Sequence, residues 1–244
     1  AYYHKKFGDE KPFMGGSYVP CPYPRATRAA MITLLDTQVG SIIEKLKQQG
    51  VYNNTIILFS SDNGSSNEGG ADCEYFDSNG PFKNEFGWGK GFWYEGGIRM
   101  PLIVVWPGKI KGGSKTDLIT ANWDFMPTAC EMANIPSPKN IDGISYLPTL
   151  LAEENKQKKH DFLYWEFPQN GGQQAVRLGS WKGIRMNILK GNMTIQLFDL
   201  DKDIQEQHDV AAQHPAIVKQ IETIMKKEHH TPDADSFRME ALEK

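Results

Sequence analysis

Thr55-Ile56-Ile57-Leu58-Phe59-Ser60-Ser61-Asp62-Asn63-Gly64 decides how the rest of the chain is read. A short apolar run rich in β-branched residues stops abruptly at Ser-Ser-Asp-Asn-Gly. That pattern predicts a buried strand of a parallel sheet opening into a loop. Ligands of open α/β sheets gather at the carboxyl ends of such strands. Asp62 and Asn63 would stand there, offering a carboxylate and an amide carbonyl to one point. Oxygen donors of this kind suit a hard cation such as Ca²⁺ or Mg²⁺. Gly64 lets the backbone turn away with few steric limits. The same three residues also suit a simple capped turn.

Upstream, Ile32, Leu35, Val39, Ile42 or Ile43, and Leu46 recur at helical spacing between charged residues, predicting an amphipathic helix over Ala26–Gln49. Lys45, Lys47 and Gly50 supply its stop signals. Helix, short turn at Tyr52-Asn53-Asn54 and buried strand make one unit of a doubly wound α/β domain. Residues 1–25, rich in Tyr, Pro and Gly, show no period and read as a surface excursion.

Downstream, Ser65 to Gly91 is glycine-rich and aperiodic, as long functional loops are. It ends in Gly89-Lys90-Gly91. A lysine between glycines can bring its backbone close to a ligand while its ammonium reaches an anion; the alternative is a solvated loop lysine. Leu102–Trp106 reads as a second buried strand closed by Pro107-Gly108. Asp124 reads as the N-cap of a helix through Ala133. The stretch from Ile141 to Pro148 reads as a loop pinned onto the domain.

The 244 residues are 39% hydrophobic and 23% charged, with a net charge of −3 and a pI near 6.1, an ordinary balance for a globular protein. Nothing in that balance calls for nucleic acid or a membrane as partner. No run approaches the roughly 20 apolar residues of a transmembrane helix. Cys21, Cys73 and Cys130 have no metal spacing, and their odd number leaves at least one without an internal partner. A Glu/Lys/Gln/Asn-rich stretch after residue 151 marks a boundary, predicting domains at 1–151 and 152–244. Beyond it, Phe162–Phe167, a hairpin turning at Gly179-Ser180, and Ile195–Leu200 read as strands. A final helix begins near Pro215, with Ile217, Val218, Ile221, Ile224 and Met225 facing inward. The fold expected is therefore α/β: part of a doubly wound sheet domain, then a small antiparallel sheet with a helix packed on one face. The tail after Thr231 reads as poorly ordered.

Taken in order, Asn-Asn-Thr-Ile-Ile-Leu-Phe-Ser-Ser-Asp-Asn-Gly, Gly-Lys-Gly-Phe-Trp-Tyr-Glu-Gly-Gly-Ile-Arg-Met-Pro and Val-Trp-Pro-Gly-Lys-Ile strongly resemble the type I sulfatases of the alkaline-phosphatase superfamily. The likeness is greatest to arylsulfatase-like bacterial enzymes that act on sulfated sugars. It continues through Asp-Gly-Ile-Ser-Tyr-Leu-Pro-Thr-Leu, the Gly179–Lys182 turn and His214-Pro215. The resemblance implies that Asp62 and Asn63 ligate a single Ca²⁺ and that Lys90 contacts the substrate sulfate, facing the same cleft as Asp62. Two-zinc phosphatase-like branches usually have histidine where Asn63 stands, so Asn63 favours the calcium branch. The family's nucleophile is a formylglycine within Cys/Ser-x-Pro-Ser-Arg. Cys21-Pro22-Tyr23-Pro24-Arg25 has its prolines out of place and no Ser before Arg25. The resemblance therefore implies the C-terminal half of a sulfatase. Its nucleophile, its remaining calcium aspartates and its catalytic histidines would lie upstream, within an N-terminal half of the same enzyme. It also implies a sulfated carbohydrate or aryl sulfate as substrate and a periplasmic or secreted location. Two alternatives remain: a phosphoester or phosphonate hydrolase of the same superfamily, and a non-catalytic carbohydrate-binding fragment using Trp88, Trp93 and Trp165 as stacking surfaces.

Overall fold

The computed structural model describes residues 2–16 and 18–243; Ala1, Ser17 and Lys244 lie outside the described residues. In chain order the regular elements are α1 (Tyr2–Phe7), α2 (Pro24–Gln48), β1 (Ile57–Phe59), α3 (Glu95–Ile98), β2 (Ile103–Val105), α4 (Phe125–Met132), α5 (Leu147–Leu150), β3 (Leu163–Phe167), β4 (Gln173–Leu178), β5 (Trp181–Met186), β6 (Ile195–Asp199) and α6 (Pro215–Glu228). Packing divides them into two interleaved units rather than at a single cut near residue 151. One holds residues 1–35, 63–100 and 162–244, the other residues 36–62 and 101–161.

The first unit is built on a four-stranded antiparallel sheet in the order β3-β4-β5-β6. Side chains alternate between its two faces, and the register makes each face continuous. Trp165, Ala175, Ile184 and Gln196 line up across one face, Tyr164, Val176, Gly183 and Leu197 across the other. The second face receives α6, whose Ile221 and Met225 are fully buried against Val176, Ile195 and Leu197. Gly183 makes that approach possible, since a Cβ there would stand 2.6 Å from the Ile221 side chain. Pro215 opens α6 at a position where its missing N–H costs nothing. The β4–β5 turn falls at Gly179-Ser180 as expected, with Gly179 at φ +58°. The helix covers only one face. The other is covered by the segment around Trp88, Phe92, Trp93 and Tyr94.

Three expectations for this unit change. Residues 1–25 are not a bare excursion: Phe13 pairs with Cys21 in a β-bridge, and the Glu10 carboxylate accepts the N–H groups of Arg25 and Ala26 at the start of α2. A carboxylate on these unsatisfied donors caps the helix from outside it, which no local motif announces. The tail after Thr231 is tied down as well. Met239 is buried beside Gly172, and His229 sits 2.9 Å from Glu166 and 3.4 Å from Glu243. Trp88, Trp93 and Trp165 pack onto the sheet core instead of forming an open stacking platform, because their area fills the face that α6 leaves uncovered.

In the second unit, β1 pairs with β2 antiparallel, Leu58 opposite Val104, where a buried parallel strand was expected. An apolar run specifies a pleated, coverable surface but not the direction of its neighbour. Phe59 and Ile103 remain 42% and 56% exposed. In the first unit, the stripe of α2 is likewise open: Ile32 and Leu35 are 55% and 48% exposed, and the buried residues of the helix are Pro24 and Ala26. Asp124 is a hub rather than a simple cap. Its carboxylate accepts the N–H groups of Ala121 (2.7 Å) and Ile144 (2.8 Å) and meets His160 Nε2 at 2.8 Å, pinning the 141–148 segment as predicted.

Ile221 is the central tooth of the α6–sheet contact. Ile221→Ala is expected to lower the unfolding free energy by about 2–5 kcal/mol, read from urea midpoints at unchanged slope. A loss under 1 kcal/mol would contradict this account of the packing.

Candidate active site

Glycines let two segments of the first unit touch backbone to backbone. Gly64 N–H donates to Gly97 O and Lys90 N–H to Ser65 O, both at 2.8 Å. A Cβ at Gly64 would lie 1.8 Å from Gly96 O, one at Gly89 2.3 Å from Ser65 O, and one at Gly97 2.1 Å from Phe92 O. No larger residue fits at these three positions. The residues following Asp62-Asn63 are thereby fastened to the turn that carries Lys90. Asn79 adds a side-chain clamp, accepting Ser65 N–H at 3.2 Å and donating to Lys83 O at 2.6 Å.

Asn63, half-buried, donates its amide Nδ2 to Gly64 O at 2.9 Å, which fixes the side chain against its own turn. Asp62, which ends the 36–62 segment of the second unit, is exposed, with Ser61 Oγ 3.5 Å from its Oδ1. The pair supplies a carboxylate and an amide carbonyl, hard oxygen donors that fit calcium in kind. Calcium takes six to eight oxygens, so two side chains could supply only part of its shell. Among the described residues no group of three or more His, Cys, Asp or Glu could hold a metal.

Lys90 Nζ lies 3.2 Å from Glu68 Oε2, the two side chains being 42% and 47% exposed. The Lys90 ammonium, with help from Ser66 and Tyr18, holds the Glu68 carboxyl below the usual carboxylate range. A screened pair of this kind adds little to stability. It tethers the Lys90 ammonium near the surface. Cys21 lies just ahead of α2, its Sγ 3.2 Å from Thr27 Oγ1 and its backbone paired with Phe13.

The strongest electrostatics lie just beyond Lys90. Glu95, buried at the start of α3, accepts Lys182 Nζ at 2.8 Å on Oε1, and Arg177 (3.2 Å) and Arg99 (3.3 Å) on Oε2. Burial pushes Glu95 up, but Lys182, Arg177 and Arg99 outweigh it and hold the carboxyl below its usual range. Glu206 Oε2 accepts the Glu95 backbone N–H at 2.6 Å, and its Oε1 stands 3.9 Å from Lys182 Nζ without a hydrogen-bond partner. Burial raises Glu206 to about 7, only partly offset by Lys182 and the Glu95 N–H. Sequence reading did not single out Glu68, Glu95, Lys182 or Glu206. One signal was present: Lys182 shares a strand face with Ile184, so the period-two pattern of β5 already points a lysine at the core.

These features sit on a fold with known relatives. The sulfatase family model matches residues 1–135. The chain belongs to the sulfatase family. A second model, for the C-terminal region of N-sulphoglucosamine sulphohydrolase, matches residues 84–231. An uncharacterized sulfatase of Schizosaccharomyces pombe is 30% identical over 79% of this chain and 41% of its own length. The N-acetylgalactosamine-6-O-sulfatase of Bacteroides thetaiotaomicron is 29% identical over 84% of this chain and 43% of its own length. The crystal structure of Ps i-CgsB in complex with k-i-k-neocarrahexaose superposes with a TM-score of 0.70 at 30% identity, covering 88% of this chain and 44% of that one. The chain spans between 22% and 43% of the length of the curated relatives it matches.

Glu206 gives the family member a measurable pH dependence. A carboxyl raised from 4.5 to about 7 in the folded state binds a proton there that the unfolded chain has released. The contribution of Glu206 to stability is therefore fully present below about pH 4.5 and is lost as pH rises through about 7, on the order of 3 kcal/mol. The contribution should show as a fall in urea midpoint across that range that Glu206→Gln flattens. An identical pH slope in the variant would contradict the assignment.

Proposed function

We propose that the protein acts in the hydrolysis of sulfate esters carried by sugars. The observation that carries this is the backbone bond between Ser65 and Lys90, which holds the loop that follows Asn63 against the turn carrying the Lys90 ammonium, within a sulfatase-family chain. In this reading Lys90 exchanges Glu68 for the substrate sulfate. Its ammonium then opposes the charge that gathers on the sulfuryl and leaving oxygens as the ester bond breaks. Asp62 and Asn63 would contribute two of the ligands of one Ca²⁺, which when bound supplies further stabilisation of that charge. The proposed substrate class follows the relatives, one named as an N-acetylgalactosamine-6-O-sulfatase and another solved with a neocarrahexaose. The proposed location, periplasmic or secreted, rests on the family resemblance. No described helix is long and apolar enough to cross a membrane.

The proposal assigns the covalent nucleophile and the rest of the calcium shell to residues other than these 244, in an N-terminal half of the enzyme. Nucleophilic catalysis needs a group activated by a base or a lowered pKa within reach of the ester. Cys21 is held instead on Thr27 and Phe13.

Three measurements bear on this reading. In the full-length enzyme, Lys90→Ala is expected to depress turnover of a sulfated sugar by roughly 10²-fold or more; an unimpaired variant would remove Lys90 from the site. Calorimetric titration of the 244-residue chain with calcium chloride should show no tight binding, and a sub-micromolar dissociation constant would mean that the ligand set is wrong. The chain alone should release no sulfate from 4-nitrophenyl sulfate. Turnover that vanishes in Cys21→Ala would make Cys21 the nucleophile and end the divided-site proposal.

A further inference from the structure

We propose that Lys182, acting through Glu95, is a positioning residue for Lys90, so that the four-stranded sheet sets where the ammonium meets the sulfate. This rests on Lys90 being the sulfate contact. The turn that carries Lys90 has no strand ladder of its own, and Gly91 follows at φ +88°. Such a turn holds one shape only if outside groups hold it. On its upstream side it has the Ser65 bond. On its downstream side, besides the Gly64–Gly97 bond, four contacts come from the sheet and its connections. Gly91 O accepts Gln173 Nε2 at 2.9 Å and Asn170 Nδ2 at 2.8 Å, Trp93 N–H reaches Gln173 Oε1 at 3.4 Å, and Glu95 meets Lys182 at 2.8 Å.

Among these anchors the Lys182 contact is both charged and fully buried, the Lys182 side chain being 0% exposed. Arg99 cannot replace it, because it lies four residues from Glu95 on the same segment and ties the turn only to itself. Arg177 shares the other carboxylate oxygen at the longer distance of 3.2 Å. Lys182 also faces Glu206, whose Oε2 holds the Glu95 N–H, so one ammonium balances both carboxylates that grip the end of the turn. Removing it would take the ammonium from Glu95 Oε1 and from Glu206, leaving Arg177 and Arg99 on Glu95 Oε2 alone, and α3 would have to move toward water. Lys90 stands five residues from Glu95 in the chain. A shift of about 1 Å at a reacting group can cost on the order of 10²-fold in rate.

The test uses the full-length enzyme and compares Lys182→Met, Lys182→Arg and the double variant Glu95→Gln/Lys182→Met. Per folded molecule, Lys182→Met should lower kcat at least about 10-fold on a sulfated sugar, with Lys182→Arg recovering most of it. Amide exchange should accelerate at residues 90–93 while β4 and β6 keep their protection. Wild-type kcat with unchanged exchange at 90–93 would overturn the proposal, as would exchange rising equally through the whole unit. If Lys182→Met does not fold, the double variant, which removes both charges of the pair, takes its place under the same criteria. Normal turnover by Lys90→Ala would instead reject the sulfate-contact reading, while the exchange pattern would still decide whether Lys182 positions the turn.

Discussion

A buried carboxylate with its backbone and side chain gripped from two directions governs this structure. Glu95 takes Lys182 on its side chain and gives its N–H to Glu206, and by these two bonds an aperiodic, glycine-rich segment becomes one layer of a packed unit. Buried ion pairs seldom add net stability, since desolvating the charges costs several kcal/mol per ion. What they impose is geometry: a carboxylate that must find its ammonium leaves few alternative placements for the turn. The aromatic residues around it supply the area. Trp88, Phe92, Trp93 and Tyr94 cover one sheet face as α6 covers the other, so apolar burial drives the docking and the ion pair fixes its register.

Close backbone approach is the second constraint, and it requires an absence of side chains. Gly64, Gly89, Gly96 and Gly97 meet carbonyl oxygens at distances no Cβ could share. Glycine is often used for positive φ, but none of these four has it. Their role is steric: they bring the loop after Asn63 and the turn of Lys90 within hydrogen-bond reach.

Local periodicity was legible in the sequence. The span of α2, the hairpin at Gly179-Ser180, the strands β3 to β6 and the inward face of α6 all follow from spacing and turn chemistry. Partnership was not. The period of α2 marks a stripe fit for burial, yet Ile32 and Leu35 stand exposed, because spacing says which residues could be covered and nothing of what covers them. β1 was read as parallel for the same reason. The tryptophans proposed as stacking surfaces, and the tail after Thr231, depended on contacts separated by tens of residues. Asp124 illustrates the limit: its position beside α4 was legible, while its bonds to Ile144 and His160 were not.

The two halves of the candidate site differ in how they are encoded. Asp62 and Asn63 are sequence neighbours at the end of a strand, and a resemblance of a few residues suffices to suggest them. The Lys90 side is assembled from Ser65 with Lys90, Gly91 with Gln173, and Glu95 with Lys182, pairs separated by 25 to 87 residues. A donor pair on a turn can be reproduced by chance in unrelated chains. A turn held by three long-range contacts, two of them to one sheet, is hard to reproduce without the whole fold. The Asp62-Asn63 side of the candidate site is therefore encoded locally, while the placement of the Lys90 turn depends on a sheet far away in the sequence.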